Sequence, residues 1–330
     1  MADPAPMSEH RITLREHGGP EVLEWSEFDP GPPRQGEVRV RTRAIGLNYI
    51  DVYVRTGQYP RDVASGLGYE AAGTVEALGP GVTGLAVGQR VGTSLVLGTY
   101  ATVFNAPADL LVPLPDSISD ETAAAILLKG STVEALVERC ARVQPGSTVL
   151  VHAAAGGVGL LMVQWLRHIG ARVIATAGGE AKGALAERAG ADHVIDYARE
   201  DVAARVRGLT GGLGVPVVFD GVGRATWPAS LAACARRGLI VSFGNASGPV
   251  TNVALGSLAS AGSLFVTRPS TVDYLVEPAE RTACFGRIFT LIDQGALDIR
   301  IGRRFALKEA AEAHRALESR ATTGASILKP

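Results

Sequence analysis

The run TVLVHAAAGGVG (148–159), with the apolar helical pattern GVGLLMVQWLRHIG (157–170) overlapping its end, constrains this chain more than any other stretch. An apolar strand of this kind that breaks into glycines and then into a helix is the opening of a βαβ unit. The spacing Ala154-x-Gly156-x-x-Gly159 assigns each position a role, with a tight turn at the first, close approach of backbone to a pyrophosphate at Gly156, and close helix-to-strand packing at Gly159. The helix start adds unpaired N–H groups and the positive end of a dipole. A glycine-rich turn in some other α/β unit is the plainer alternative. A second strand, RVIATA (172–177), follows about 20 residues on and favours a dinucleotide site.

Strand-like and helical runs then keep alternating, through AKGALAERAG (181–190), HVIDY (193–197), VVFDGV (217–222) and RGLIVSFG (237–244). That rhythm predicts an α/β domain with a doubly wound parallel sheet, a Rossmann fold over 128–267. From Arg11 to about Pro115 the pattern is different: short alternating runs such as EVRVRTRAIGL (37–47) and YATVFNAP (100–107), broken by Gly and Pro. It predicts a mainly β domain over that stretch, while the last 60 residues return to mixed structure, with a helical stretch (308–318) before a terminal strand, ASILKP. Segment 119–142 carries Ala124, Leu127, Leu128, Val133, Leu136 and Val137 at near-helical spacing and reads as one or two amphipathic helices linking the domains. A length of 330 residues suits two domains.

Thirty-two basic against 33 acidic residues provide no field that would gather nucleic acid or an anionic membrane, so neither partner is expected. The three cysteines, Cys140, Cys234 and Cys284, are far apart and form no C-x-x-C pair, which argues against a disulfide framework or a thiolate metal site. No apolar run reaches the roughly 20 residues of a membrane span and the start has no signal-peptide pattern, so a cytoplasmic protein is expected. Met7 is a candidate alternative start after a loose Ala/Pro-rich tail.

The tip of the second strand decides between cofactors. A site for NAD places a carboxylate there for the ribose 2′-hydroxyl. Here the tip is Ala177-Gly178, and Lys182 stands one helical turn beyond. The uncharged tip leaves room for a 2′-phosphate and Lys182 supplies a cation, so NADP(H) is favoured. Glu180 as a displaced ribose acceptor and Lys182 as a solvated helix charge are the alternatives.

Beyond these local signals, the chain resembles the zinc-free, zeta-crystallin-like quinone oxidoreductases of the medium-chain dehydrogenase/reductase superfamily from about Arg11 to Pro330. The blocks that carry the resemblance include GLNYIDVYVRTGQYP (46–60), GYEAAGTVEALGPGV (68–82), LLKGSTVEALV (127–137), HAAAGGVGLLMVQW (152–165), ATAGGEAK (175–182), SFGNASG (242–248), LFVTRPS (264–270) and LESRATTGASILKP (317–330). The resemblance implies a GroES-like catalytic domain built from both chain ends, 1–127 and 268–330, around a central Rossmann domain, 128–267, and a homodimer whose edge-pairing element is SLFVTRP (263–269). It implies a pyrophosphate loop at Ala155, Gly156, Gly157 and Val158, and a 2′-phosphate pocket of Gly178, Lys182 and Tyr197, with Arg320 as a further phosphate-binding arginine. On the nicotinamide side it implies Asn48 and Tyr53, the stretch Ser242, Phe243, Gly244 and Asn245, and the strand Val266, Thr267 and Arg268. Thr132 is expected at a helix start facing the cofactor, and Tyr59 at the lip of the substrate pocket. Asn48, Tyr53, Tyr59 and Arg268 are the candidate catalytic residues.

Zinc enzymes of the superfamily carry a G-H-E ligand segment where this chain has Gly68-Tyr69-Glu70, and a thiolate ligand where it has Asn48. No metal is therefore expected. Hydride added to an aldehyde leaves an alkoxide that needs a Lewis acid or a matched proton donor, whereas hydride added to a quinone leaves a delocalised hydroquinone anion that hydrogen bonds can hold. The expected activity is NADPH-dependent quinone reduction. An alkenal or enone double-bond reductase is the alternative, since its product enolate is also delocalised. A non-enzymatic NADPH-binding protein, crystallin-like or nucleic-acid-binding, is the second.

Overall fold

The computed structural model describes residues 8–62, 64 and 66–330, and the candidate start at Met7 lies outside them. The described residues form two compact units, one running up to residue 128 and resuming over 301–330, and one of residues 129–300.

In the first unit, β1 (Glu9–Leu14) and β2 (Leu23–Phe28) form an antiparallel ribbon. The strand β3 (Glu37–Leu47) alternates buried Val38 and Val40 with half-buried Arg39 and Arg41, then becomes buried without interruption from Ala44. That change marks where one face stops meeting water. The helix α1 (Tyr49–Arg55) follows at once, and then β4 (Ala71–Leu78), β5 (Arg90–Thr93), β6 (Val103–Pro107) and β7 (Val112–Pro113). The boundary between units falls inside α2 (Asp120–Glu134), which runs on into a π-helical turn, Ala135–Cys140.

The second unit contains β8 (Thr148–Val151), α3 (Gly157–Ile169), β9 (Arg172–Ala177), α4 (Glu180–Ala189), β10 (His193–Asp196), α5 (Val202–Leu209), β11 (Val215–Asp220), α6 (Trp227–Ala233), β12 (Cys234–Ser242), α7 (Leu255–Ser260), β13 (Phe265–Thr267) and α8 (Pro278–Asp293). Its six strands lie in the order β10-β9-β8-β11-β12-β13 and every pairing is parallel. This is the doubly wound Rossmann order, whose direction reverses between β8 and β11. The chain then returns to the first unit with β14 (Ile301–Ala306), α9 (Ala310–Glu318) and β15 (Ala325–Lys329), in a seven-stranded sheet ordered β14-β15-β3-β4-β5-β7, with β6 paired to β3.

Segment 268–300, assigned from the sequence to the mainly β domain, belongs instead to the parallel-sheet unit. The cause is α8: its Arg287 pairs with Glu138 at 3.1 Å, and Glu138 also accepts from Trp165 of α3 at 2.9 Å. No described helix is long and apolar enough to cross a membrane.

Candidate active and cofactor site

Parallel strands deliver the turns that follow them to one edge of the sheet, so topology alone gathers most of the expected cofactor residues. Ala155–Val158 come after β8, Gly178 after β9, Tyr197 after β10, and Phe243–Asn245 after Ser242 closes β12. Val266 and Thr267 end β13, and Arg268 follows.

At the first of these turns Gly156 is the N-cap of α3, extended at φ −77° and ψ 173°, and no described side chain caps it. The first-turn N–H groups are thus left for a ligand with the positive end of the helix dipole behind them. Gly159 sets how tightly the turn folds back: a Cβ there would strike the Ala153 carbonyl oxygen and lie 2.7 Å from Ala154 Cα. Ala153 adopts a left-handed conformation (φ +53°), and its carbonyl accepts the Gly156 N–H at 3.0 Å. An open helix start beside a turn that tolerates no side chain at Gly159 fits a dinucleotide pyrophosphate.

The tip of β9 fits a 2′-phosphate. Tyr197, 48% exposed, lays its hydroxyl so close to Gly178 that a Cβ there would lie 2.5 Å from it. Lys182 is the third residue of α4 and half-buried, while Glu180 is exposed at the helix start. Asp196, which nothing in the sequence singles out, sits beside this tip and accepts the N–H groups of Ala198 (3.1 Å) and Gly179 (3.2 Å). These two backbone hydrogen bonds hold its carboxyl below the usual carboxylate range. The only trace it leaves in the sequence is an acid closing the strand HVID, next to Tyr197.

Farther along the edge, Arg268 donates from Nη1 to the Gly244 carbonyl at 3.0 Å, with Ser242 Oγ at 3.5 Å. Gly244 lies against Gly221, whose Cα and C would be 2.8 Å from a Cβ there, and the Phe243 N–H bonds the Asp220 carbonyl at 2.9 Å. Thr132 is not at a helix start. It lies in the last turn of α2, because that helix runs unbroken from Asp120, and its hydroxyl is 3.4 Å from that of Thr271.

The first unit holds Asn48, Tyr53, Tyr59 and Arg320. Asn48 is the N-cap of α1, and its N–H is held by Asp51 Oδ2 at 2.8 Å. Its amide nitrogen donates to the buried Glu70 at 2.9 Å, and the other oxygen of Glu70 accepts the Leu128 N–H at 2.7 Å. Glu70 explains Gly46: any Cβ there would collide with the carboxylate and with the Ala124 carbonyl. In the sequence Glu70 stands out only as part of a lost metal segment, and its role as the partner of Asn48 emerges only from the fold. The rings of buried Tyr53 and half-buried Tyr59 tilt against each other at 5.1 Å. Arg320 adopts φ +59° just past α9, and its charge opposes the upward push of burial on the Tyr49 phenol, whose hydroxyl donates to the Leu317 carbonyl at 3.1 Å. Among the described residues no three His, Cys, Asp or Glu side chains form a group able to hold a metal ion.

Comparison with known proteins adds to this geometry. Residues 34–116 match the family described as "Alcohol dehydrogenase GroES-like domain", and residues 157–280 match "Zinc-binding dehydrogenase". A quinone oxidoreductase of Pseudomonas aeruginosa is 49% identical over 97% of this chain and 99% of its own. The crystal structure of Escherichia coli quinone oxidoreductase complexed with NADPH is 47% identical, with a TM-score of 0.95 over 97% of this chain and all of that one. A 2-haloacrylate reductase of a Burkholderia species is 39% identical over 96% of this chain and 98% of its own.

Proposed function

The chain belongs to the quinone oxidoreductase family of the medium-chain, zinc-dehydrogenase-like superfamily, and from that premise we propose that it reduces quinones with NADPH through Asn48, Tyr53, Tyr59 and Arg268, without a metal. The observation that carries the reading is the edge of the parallel sheet, where an uncapped helix start and an uncharged strand tip flanked by Lys182 and Tyr197 answer the two phosphate groups of NADPH. Bound NADPH supplies a hydride at its nicotinamide ring. Ala155–Val158 hold the pyrophosphate by backbone N–H groups, and Gly178, Lys182, Tyr197 and Arg320 hold the 2′-phosphate. Thr132, Ser242–Asn245 and Val266–Arg268 line the nicotinamide side, where the Arg268 bond to the Gly244 carbonyl keeps that turn in place.

On the substrate side, Tyr53 and Arg268 stabilise the charge that develops on the quinone oxygen by hydrogen bonding, and Asn48 is oriented for this by Glu70. That amide stands where the zinc enzymes have a metal-ligand thiolate, and here it is engaged with Glu70 as a hydrogen-bond donor. Dialysis against a strong chelator should leave the rate unchanged. Initial rates with NADPH and NADH on benzoquinones, naphthoquinones and a 2-haloacrylate test the whole reading. Faster turnover of the haloacrylate than of every quinone would shift the function to alkene reduction, the second reading, which the 39% identical reductase favours.

We also propose a homodimer through β13. This strand is the edge of its sheet, and Phe265 and Val266 are 61% and 40% exposed, an open apolar edge of the kind that pairs with a second copy. Sedimentation of Val266→Lys should give the monomer mass, and an undisturbed dimer would remove β13 from the interface.

A further inference from the structure

At the reversal point of the parallel sheet, between the ends of β8 and β11, lies a buried polar chain that none of the ligand-holding residues includes. Asp220 closes β11 and is 1% exposed. Its Oδ1 accepts the N–H groups of Val222 (2.9 Å) and Gly223 (3.0 Å), both oxygens accept from the Thr226 hydroxyl, and Oδ2 accepts from Ser230 Oγ at 2.7 Å. Ser230 Oγ also lies 3.1 Å from Nε2 of His152, the residue that follows β8 into the pyrophosphate turn. The other ring nitrogen, Nδ1, is 3.2 Å from Thr176 Oγ1, and that hydroxyl accepts the Ala153 N–H at 3.3 Å.

A hydroxyl has one proton to give. Ser230 gives its proton to Asp220, so it meets His152 as an acceptor, and Nε2 must carry the imidazole hydrogen. In a neutral ring Nδ1 is then an acceptor, and the Thr176 hydroxyl donates to it. Burial favours that neutral ring by pushing the His152 pKa down, against the pull of Asp220. Thr176 keeps its lone pairs for the Ala153 N–H. Ala153 is the pivot of the turn, because its left-handed conformation is held by this bond at one end and by the Gly156 N–H on its carbonyl at the other.

We propose that Asp220, Ser230, His152 and Thr176 form a hydrogen-bond chain of fixed direction that sets His152 as its Nε2–H tautomer and thereby fixes Ala153 and the pyrophosphate turn. These are positioning residues: none of them is asked to touch the cofactor. The proposal rests on the pyrophosphate being held at Ala155–Val158.

The chain's direction makes it testable. In Asp220→Asn, the atom that accepts two backbone N–H groups must remain the carbonyl oxygen, so the amide nitrogen turns to Ser230. Ser230 then receives a proton and passes its own to Nε2, and His152 must shift its hydrogen to Nδ1. Long-range proton–nitrogen correlation spectra of the full-length protein should therefore show Nε2–H in the native chain and Nδ1–H in Asp220→Asn. A native Nδ1–H, or an unchanged tautomer in the variant, overturns the proposal. Should Asp220→Asn fail to fold, Ser230→Ala serves, since it leaves Nε2–H without its acceptor and should abolish the single-tautomer spectrum; a retained pure Nε2–H form would overturn the chain. For the turn itself, Thr176→Val should raise the NADPH dissociation constant roughly three- to tenfold, the worth of one hydrogen bond. Thr176→Ser should restore it, and 2′-AMP, which has no pyrophosphate, should bind all three proteins equally. Unchanged NADPH affinity in Thr176→Val, or an equal loss for 2′-AMP, contradicts the positioning role. If the pyrophosphate is held elsewhere, Gly159→Ala also leaves NADPH affinity unchanged, which separates that failure from a failure of the chain alone.

Discussion

Each unit buries one histidine whose Nε2 faces a hydroxyl that donates to an aspartate: His152, Ser230 and Asp220 in the parallel-sheet unit, and His314, Tyr100 and Asp51 in the mainly β unit, where the Tyr100 hydroxyl is 3.2 Å from Nε2 and 3.1 Å from Asp51. The difference lies at Nδ1. His152 meets the neutral Thr176 there, and His314 meets Nη1 of buried Arg55 at 3.0 Å, whose guanidinium is clamped by Glu318 at 2.8 and 2.9 Å. A cation on one side of a buried ring forbids a second, so burial together with Arg55 pushes the His314 pKa down to about 3. The two networks also serve different ends. One steadies a backbone turn that presents N–H groups. The other ties α1, which carries Asn48 and Tyr53, to the end of α9 beside Arg320, and so steadies side chains.

The largest effect expected is on the backbone side. Gly159→Ala puts a methyl group against the Ala153 carbonyl and Ala154 Cα, atoms that cannot move without dismantling the turn. Overpacking costs up to about 3 kcal/mol, and where the free protein relieves it by opening the turn that binding needs closed, that strain appears as a loss of NADPH affinity of up to roughly a hundredfold. Calorimetric titration reads it, and a tolerated alanine would mean that the turn is far less exacting than its geometry. Next comes Lys182→Ala, expected to weaken NADPH binding by roughly 1.5–3 kcal/mol, the worth of one charge-assisted contact, and NADH binding little. Equal losses for both cofactors would remove Lys182 from the 2′-phosphate pocket.

On the side-chain unit, acid should be the probe. The unfolded chain protonates His314 near pH 6.5, while the folded protein resists down to about pH 3, so between these values the unfolded state binds the extra proton. Stability is full above about pH 6.5 and falls by about 1.4 kcal/mol per unit below it, a loss of roughly 2 kcal/mol at pH 5. Urea titrations at stepped pH should show this slope and its disappearance in His314→Gln. If the slope persists in that variant, another group is responsible. The smallest effect is Tyr53→Phe, expected to lower kcat/KM by roughly 0.5–1.5 kcal/mol, up to about tenfold. A thousandfold loss with NADPH affinity intact would make Tyr53 an obligate proton donor and favour alkene reduction.

The same contrast explains what can be read from the sequence. Sites built from backbone leave glycines at fixed spacing, so Gly156, Gly159 and Gly178 are legible, together with the strands that present them. Sites built from side chains leave ordinary letters. Arg55 has the composition of a surface arginine, and only its partners His314 and Glu318, some 260 positions away, make it an interior residue. Asn48 is found only by resemblance, and its partner Glu70 only in three dimensions. Asp220 and Ser230 are likewise distant in sequence from His152. The placement of α8 depends on Glu138 and Trp165, which no periodicity reports, and Thr132 is misplaced from sequence because near-helical spacing over 119–142 does not say where one helix ends.

The position of β15 bears on how the protein is made. It lies inside its sheet, parallel to β14 and antiparallel to β3, with Ile45, Gly46 and Leu47 of β3 paired to Leu328, Ile327 and Ser326. During synthesis β3, β4 and β5 leave the ribosome early, but the strand that completes their sheet arrives only after the whole parallel-sheet unit has emerged. For that interval the Ile45–Leu47 end of β3 presents unpaired backbone groups on an apolar stretch, a template for pairing with another nascent chain. The nascent chain is thus most exposed to misassembly while its parallel-sheet unit is already finished, and slowing translation across residues 129–300 should lower the soluble yield more than slowing it across the first 128.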